Sequence, residues 1–551
     1  MGCGTSQHYP VGRLPKEYPR HVFIKQKGHL AYPDSPGISV KNVHRHIEKE
    51  DNFLEIKNAT LPDHSDFDKK EISEHDNVMK IESLTIGQLF VDIEFPPKNS
   101  SIFFNNPLID GKVTWMRPHE LIDNPRLLVD GVSQHDIIQG ILADCWFLSS
   151  CAAVAQYPTL MRKVIPSNQP LYGTGYKGFI WFQFWQYGKW VTVYIDDLLP
   201  TKDGRLIFSR CSDNREFWVA LLEKAYAKLH KSYEALEGGQ AMDALVDLTG
   251  GLAERYDLDD APSNLYDILL KASSNGAFIT CSRKGDWRTA NVADNNGLVA
   301  GHAYTVTAVA NVTLIGGEQE NLLRIRNPWG NEVEWNGKWN DNDLIWSEVS
   351  ISTKHHLQWK KRADGEFWMN YDDFCNEFEE VTVCTIGPDF NQDGTVNKTG
   401  YVCTVKGCWE QGCTAGGSRN NLELFSLNPQ YLLTVLDISD VYKECPKISM
   451  IIALMQIRQY CRKHNKSRML QIGFAVYKTK TPHKRLSRYF FVKNSDVGNS
   501  GPYINYREIF KRFEMNPGSY VIIPATFEPN CPGSFLIRIY ADSPFRVKEL
   551  K

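Results

Sequence analysis

Apolar residues recur along the first half of this chain in two rhythms. Phe217, Ala220, Leu221, Leu222, Ala225, Tyr226 and Leu229 return at helical spacing, which marks one face of a helix. Residues 146–154 are mostly apolar and read as a buried helix with Cys145 at its start. Residues 179–184 and 190–195 are aromatic and β-branched runs on either side of Gly188, the pattern of a β-hairpin. Residues 303–309 and 322–326 are also strand-like. His302 opens the first of these strands and Asn327 closes the second, so two adjacent strands would bring an imidazole and an amide together. Beyond about residue 389 the pattern shifts to short runs at 431–436, 449–455, 471–477, 489–492, 519–524 and 535–540, separated by Gly and Pro. Short, turn-bounded strands of this kind predict an all-β sandwich. Residues 1–84 are polar with little periodicity and are expected to be largely disordered or loosely helical.

The 551 residues have room for about three to four domains. The pattern divides them at 1–84, 85–238, 239–388 and 389–551. A hydrophobic content of 42% permits packed cores, and 27 Phe, 24 Tyr and 14 Trp suit clefts and sandwiches rather than disorder. A net charge of −3 gives no reason to expect a nucleic-acid partner. No apolar run reaches the ~18 residues that would span a bilayer, and the N-terminus lacks the apolar core of a signal peptide. The 13 cysteines are odd in number and irregularly spaced, which reads as reduced cytosolic thiols.

Cys145 is the first candidate for chemistry. A cysteine at a helix start has its thiolate favoured by free backbone N–H groups and the positive end of the macrodipole. Most free cysteines are simply small buried hydrophobes, and Cys151, further along the same run, fits that description. Downstream lie Gly301-His302-Ala303-Tyr304 and Arg326-Asn327-Pro328-Trp329-Gly330. Cysteine, histidine, asparagine is the order of a papain-like protease. The separation is wider than the papain spacing, and the local papain signature around the cysteine is absent.

Further motifs accompany these: Val129-Asp130-Gly131, Asp136, residues 139–147 beginning Gln139-Gly140, Glu216-Phe217-Trp218, Leu221-Leu222-Glu223-Lys224-Ala225-Tyr226, Ser232-Tyr233-Glu234, Gly238-Gly239, Thr249-Gly250-Gly251 and Asp364-Gly365-Glu366-Phe367-Trp368. Over residues 103–388 the chain resembles the calpains, calcium-activated intracellular cysteine proteases, and a weaker resemblance continues to the end. The resemblance implies an α+β fold: a two-lobed papain-like cysteine protease core followed by an all-β C2-like sandwich. It implies Cys145 as nucleophile, His302 as base and Asn327 as its orienter. Gln139, with the Cys145 backbone N–H, matches the oxyanion donor, and Trp329 the wedge that gates the cleft between the halves. It also implies one Ca2+ in each half. Asp136 and Glu216 match the carboxylate ligands of the first, with Val129 and Gly131 at backbone positions. Glu334, Asp341, Asp364 and Glu366 match those of the second, with Arg362 at a backbone position.

Ala143 stands where the family usually has Gly, which is harmless if its backbone is not left-handed. Asp389-Phe390-Asn391-Gln392-Asp393-Gly394 imitates an EF-hand loop, but its twelfth position is Gly400 rather than Glu. The chain ends after the sandwich region, like an atypical calpain, so no EF-hand small subunit is expected. The expected activity is limited proteolysis of protein substrates. The alternative is a calcium-dependent membrane adaptor that keeps a protease-like fold.

Met1-Gly2-Cys3-Gly4-Thr5-Ser6 fits the N-myristoylation pattern at Gly2, with Cys3 beside it as a palmitoylation site. Residues 458–468 and 478–488 are basic and read either as solvated loops or as contacts with an anionic membrane surface. Together these features predict a peripheral protein on the cytosolic face of a membrane.

Overall fold

The computed structural model describes residues 57–58, 88–105, 109, 111–283, 285, 292–397, 400–436, 447–457 and 469–551. They fall into two compact units, one within Ala59–Thr399 and one formed by Gly400–Ile457 with Met469–Lys551. Gly2, Cys3 and the basic stretch 458–468 lie outside the described residues. Among those described, no helix is long and apolar enough to cross a membrane.

In the first unit, all eleven residues of the Cys145–Ala155 helix are buried. A helix with no polar face has to be enclosed on all sides. The helix Ala241–Thr249 and the strands Phe278–Arg283 and Ala303–Thr313 pack against it. Its first turn is also held closely by the chain around Gly239, where a Cβ would lie 2.3 Å from the Trp146 ring. The indole N–H of Trp146 donates to Leu236 O at 2.8 Å. Phe179–Gln186 and Lys189–Asp196 form the expected antiparallel hairpin, turning through left-handed Tyr187 and Gly188. The helix Trp218–His230 carries the apolar face seen in the sequence and also two buried charged groups, Glu223 and Lys224. Lys224 pairs with Asp196, and neither side chain has exposed surface.

The largest sheet of this unit is six-stranded and antiparallel. Its spatial order is Glu366–Asn370, Gln319–Arg326, Ala303–Thr313, Phe278–Arg283, Phe378–Thr385 and Leu252–Asp257. The two strands that flank the site are neighbours, with Thr305 opposite Arg326. A satellite core of Trp339, Trp346, Leu357 and Trp368 lies beside them.

The second unit consists of two five-stranded antiparallel sheets. One contains Tyr401–Trp409, Gly533–Ala541, Ile448–Ile457 and Glu508–Met515, and the other Ile472–Lys478, Gly518–Thr526, Gln430–Val435 and Phe545–Leu550. Residues of both sheets share one apolar core, including Val405, Ile452 and Ile537 from the first and Leu433, Val476 and Ile522 from the second. The sandwich is therefore present, with two differences from the sequence reading. Residues 489–492 are not a strand but part of the helix Arg488–Lys493. Phe491 is fully buried while Tyr489 and Val492 are exposed, a burial pattern that does not alternate, and Phe491 docks against Phe425 and Tyr477. Conversely, Tyr401–Trp409, Glu508–Met515 and Phe545–Leu550 are strands that the apolar pattern did not single out. The two-residue strand Lys57–Asn58 pairs with Val402 and Tyr401, inside the stretch expected to lack order.

Candidate active site

The cysteine helix and the strand that begins at Ala303 cross at Cys145. The Ala303 backbone N–H donates to Cys145 Sγ at 3.3 Å. Two residues on, Thr305 Oγ1 donates to Ser149 O at 2.7 Å. Two strand residues rise about 6.6 Å and four helix residues about 6 Å, so strand and helix can stay in step over both contacts. That match places His302, immediately before the strand, beside Cys145. His302 Nε2 lies 2.9 Å from Asn327 Oδ1. The strand Gln319–Arg326 ends just before Asn327, and the pairing of the two strands brings the two side chains together, as the sequence pattern predicted. Asn327 is held in turn: its N–H donates to Gly365 O at 2.7 Å, and its amide Nδ2 to Val333 O at 3.2 Å.

His302, Asn327 and Cys145 have no exposed surface. Burial pushes the imidazole down to about 4, against the opposing effect of its hydrogen bond to Asn327. His302 is therefore neutral in this arrangement, and a proton on Nε2 shared with Asn327 Oδ1 leaves Nδ1 as the basic nitrogen. Nδ1 is buried and has no hydrogen-bond partner. Trp329 is half-buried beside it, its ring centroid 5.2 Å from that of His302, and its N–H donates to Asn327 Oδ1 at 3.0 Å.

Gln139 sits just ahead of the helix. Its N–H donates to Pro328 O at 3.0 Å, which ties the loop before Cys145 to the loop after Asn327. Its amide Nε2 donates to Leu142 O at 2.7 Å. Ala143 is not among the residues with positive φ, so a side chain there is not strained by a left-handed backbone. Cys151 is buried among its neighbours and its thiol is pushed well above the usual range, as expected of a core residue.

One feature of the site went unread in the sequence. Asp144, next to Cys145, is completely buried near the equally buried Glu223, whose carboxylate accepts from the Ser209 N–H at 3.0 Å. Burial pushes both carboxyls up, Glu223 to about 7 and Asp144 well above the usual range, where the neighbouring charge of Glu223 adds to the effect. The signal available was Asp144 adjoining the cysteine and Glu223 falling on the buried face of its helix.

The residues expected to hold calcium form two groups. In the first, Glu216 Oε1 accepts from the Val129 N–H at 2.6 Å, and Asp136 Oδ2 from the Ser133 N–H at 2.7 Å. Gly131 adopts φ +97°, a left-handed value suited to glycine. Burial first, then the charge of Asp136, pushes Glu216 up to about 7. In the second, Glu334 Oε1 accepts from the Gly365 N–H at 2.7 Å, Asp341 Oδ2 from the Arg362 N–H at 3.1 Å, and Asp364 Oδ1 from the Glu366 N–H at 3.1 Å. Burial and neighbouring carboxylates push Glu334 to about 7 and Asp341 to about 6. Oxygen-only, mutually repelling groups fit a hard cation, although among the described residues no three His, Cys, Asp or Glu groups converge at ligand distance. The two groups are linked: Gln134 Nε2, close to Asp136, donates to Glu366 Oε1 at 3.1 Å.

Comparison with known proteins agrees with this geometry. Residues 90–385 match the model of the calpain family cysteine proteases, and residues 405–540 match domain III of the calpain large subunit. The chain is 40% identical over 488 residues to calpain-A of Drosophila melanogaster, covering 87% of this chain and 58% of that protein. It is 41% identical over 480 residues to calpain clp-1 of Caenorhabditis elegans, covering 86% and 61%. With the calpain-1 catalytic subunit of Rattus norvegicus it shares 41% over 489 residues, covering 86% and 67%. The chain thus spans about three-fifths of the length of the fly and worm relatives.

Proposed function

The chain belongs to the calpain family, and from that membership we propose that it is a cysteine endopeptidase performing limited, calcium-dependent cleavage of protein substrates. The observation that carries this reading is the His302 Nε2 contact to Asn327 Oδ1 at 2.9 Å, with the imidazole one residue from the N–H that touches Cys145 Sγ. Cys145 attacks the scissile carbonyl carbon as His302 Nδ1 takes the thiol proton. Asn327 fixes the tautomer and ring orientation. The Cys145 N–H and Gln139 amide stabilise the developing oxyanion. His302 then protonates the leaving amine, and a water activated by the same imidazole hydrolyses the acyl-enzyme. Trp329, packed beside His302, shields the His302–Asn327 bond from water. Calcium, where bound, supplies a divalent charge that offsets the repulsion within each carboxylate group. Asp136, Glu216 and the Val129 and Gly131 carbonyls would hold one ion. Glu334, Asp341, Asp364, Glu366 and the Arg362 carbonyl would hold the other.

The test is cleavage of casein by the full chain with calcium and with chelator. Cys145→Ala should abolish calcium-stimulated cleavage. Asn327→Ala should lower kcat on the order of 100-fold without abolishing it, because it removes orientation and not the base. Undiminished cleavage by Cys145→Ala would sink the proposal.

A further inference from the structure

Between Asp341 and Arg362 the chain makes an excursion whose base is closed by the hydrogen bond from the Arg362 N–H to Asp341 Oδ2. It contains the 3-10 turn Leu344–Glu348 and the short helix Ile351–His356. Its inner side is well anchored. Trp346 packs on Trp339 with ring centroids 4.9 Å apart and on Trp359 at 5.2 Å, and Leu357 joins the same core. Asp343 accepts from the N–H groups of Trp339 at 2.7 Å and Ile345 at 3.0 Å.

The outer side is unusual. Leu344 is 85% exposed and Ile351 86%, the two most exposed large hydrophobic residues among those described. Ile315, also exposed, belongs to the same area, since its N–H donates to Glu348 O at 2.8 Å. A cationic run follows: His355, His356, Lys360, Lys361 and Arg362 are all exposed, and Lys354 lies over the Trp359 ring. Most of the acidic groups nearby are less exposed than these cations. Asp341, on which Lys361 acts, is buried, Asp343 and Asp364 are half-buried, and Glu348 is the exposed acidic residue within residues 341–364. With Asp341, Asp343 and Glu348 set against Lys354, Lys360, Lys361 and Arg362, residues 341–362 carry a formal charge of +1, and the exposed charges among them are Lys360, Lys361 and Arg362 against Glu348.

Exposed aliphatic side chains beside a cationic run, on a frame too well packed to fold them away, match the interface of a membrane with anionic lipid. There the apolar groups enter the headgroup–acyl boundary and the cations meet phosphate. We propose that this excursion is a membrane-docking surface for anionic phospholipid, with Leu344 and Ile351 inserting and Lys360, Lys361 and Arg362 contacting headgroups. It is separate from the N-terminal acylation pattern and from Cys145, His302 and Asn327, and it shares with the second calcium group only Arg362, through the side chain rather than the carbonyl.

The experiment is co-sedimentation of the full chain, made in bacteria and therefore without acyl groups, with two kinds of vesicle. One is phosphatidylcholine containing phosphatidylserine, the other phosphatidylcholine alone. The wild-type chain should bind the first and not the second. Leu344→Ser with Ile351→Ser should lower the partition coefficient at least ten-fold with an unchanged thermal midpoint. Lys360→Glu with Lys361→Glu should lower it comparably and flatten its dependence on salt. Three results would overturn the proposal: no binding by the wild type, equal binding to both vesicles, or partition of both double variants within two-fold of the wild type.

Discussion

His302 is a residue whose environment sets its chemistry more than its identity does. Its ordinary value is 6.5, and burial holds it at about 4. A depressed histidine contributes stability that is fully present above about pH 6.5 and is lost as pH falls through about 4. The shift corresponds to roughly 3 kcal/mol. We therefore expect the urea midpoint of the wild type to fall more between pH 7 and pH 4.5 than that of His302→Gln. Parallel declines would mean that His302 is not held neutral in the folded chain. His302 and Asn327 could be found in the sequence because each adjoins a strand whose pattern is visible. The burial of Asp144 beside Glu223 could not, because it depends on the start of one helix meeting the side of another, and nothing in either segment records that. The question posed by Ala143 also needed a backbone angle, which an alanine in a sequence does not supply.

At the scale of elements, the sandwich rests on a buried ion pair that no local pattern announces. Arg538 pairs with Glu508, at 1% and 6% side-chain exposure. The strand Ile448–Ile457 runs between theirs, with Ala453 opposite Arg538 and Met455 opposite Glu508. The short Ala453 side chain leaves room for the guanidinium to reach across. Arg538→Met should cost about 3–5 kcal/mol because it strands a buried carboxylate. Adding Glu508→Gln should recover much of that loss, and calorimetry of the two variants reads the difference. A single variant as stable as the wild type would show that Glu508 is solvated. The same scale explains the misread elements. Ile448–Ile457 is buried at nearly every position, so its apolar run was visible. Glu508–Met515 is only half-buried at four of its eight positions and carries four charged residues, so its strand character comes from its neighbours. Residues 488–493 are aromatic and β-prone in isolation, and they form a helix because Phe491 finds a pocket between Phe425 and Tyr477.

At the scale of the whole molecule, regulation and location are the properties to test. In the function proposed above, calcium favours the aligned core only by binding that state more tightly than others. Asp136→Ala and Glu366→Ala should each raise the calcium concentration for half-maximal casein cleavage. An unchanged requirement in both would remove these residues from the calcium scheme. For location, Gly2→Ala should move the chain from membranes to the soluble fraction of expressing cells. Cys3→Ser should leave weak, reversible binding, since one myristoyl chain gives an association constant of only ~10⁴ M⁻¹. Equal membrane fractions for wild type and both variants would eliminate the acyl anchor. By itself the sequence determined the element types around the site, the order of cysteine, histidine and asparagine, and a sandwich after the protease. These follow from periodicity and residue chemistry, which are local. Only the tertiary structure decided which nitrogen of His302 meets Asn327, that Ala303 offers its N–H to Cys145, and that two buried carboxyls, Asp144 and Glu223, lie beside Cys145. It alone also showed that Leu344 and Ile351 are left outside while three tryptophans pack beneath them. Each of those depends on which segments, distant in sequence, exclude water from one another.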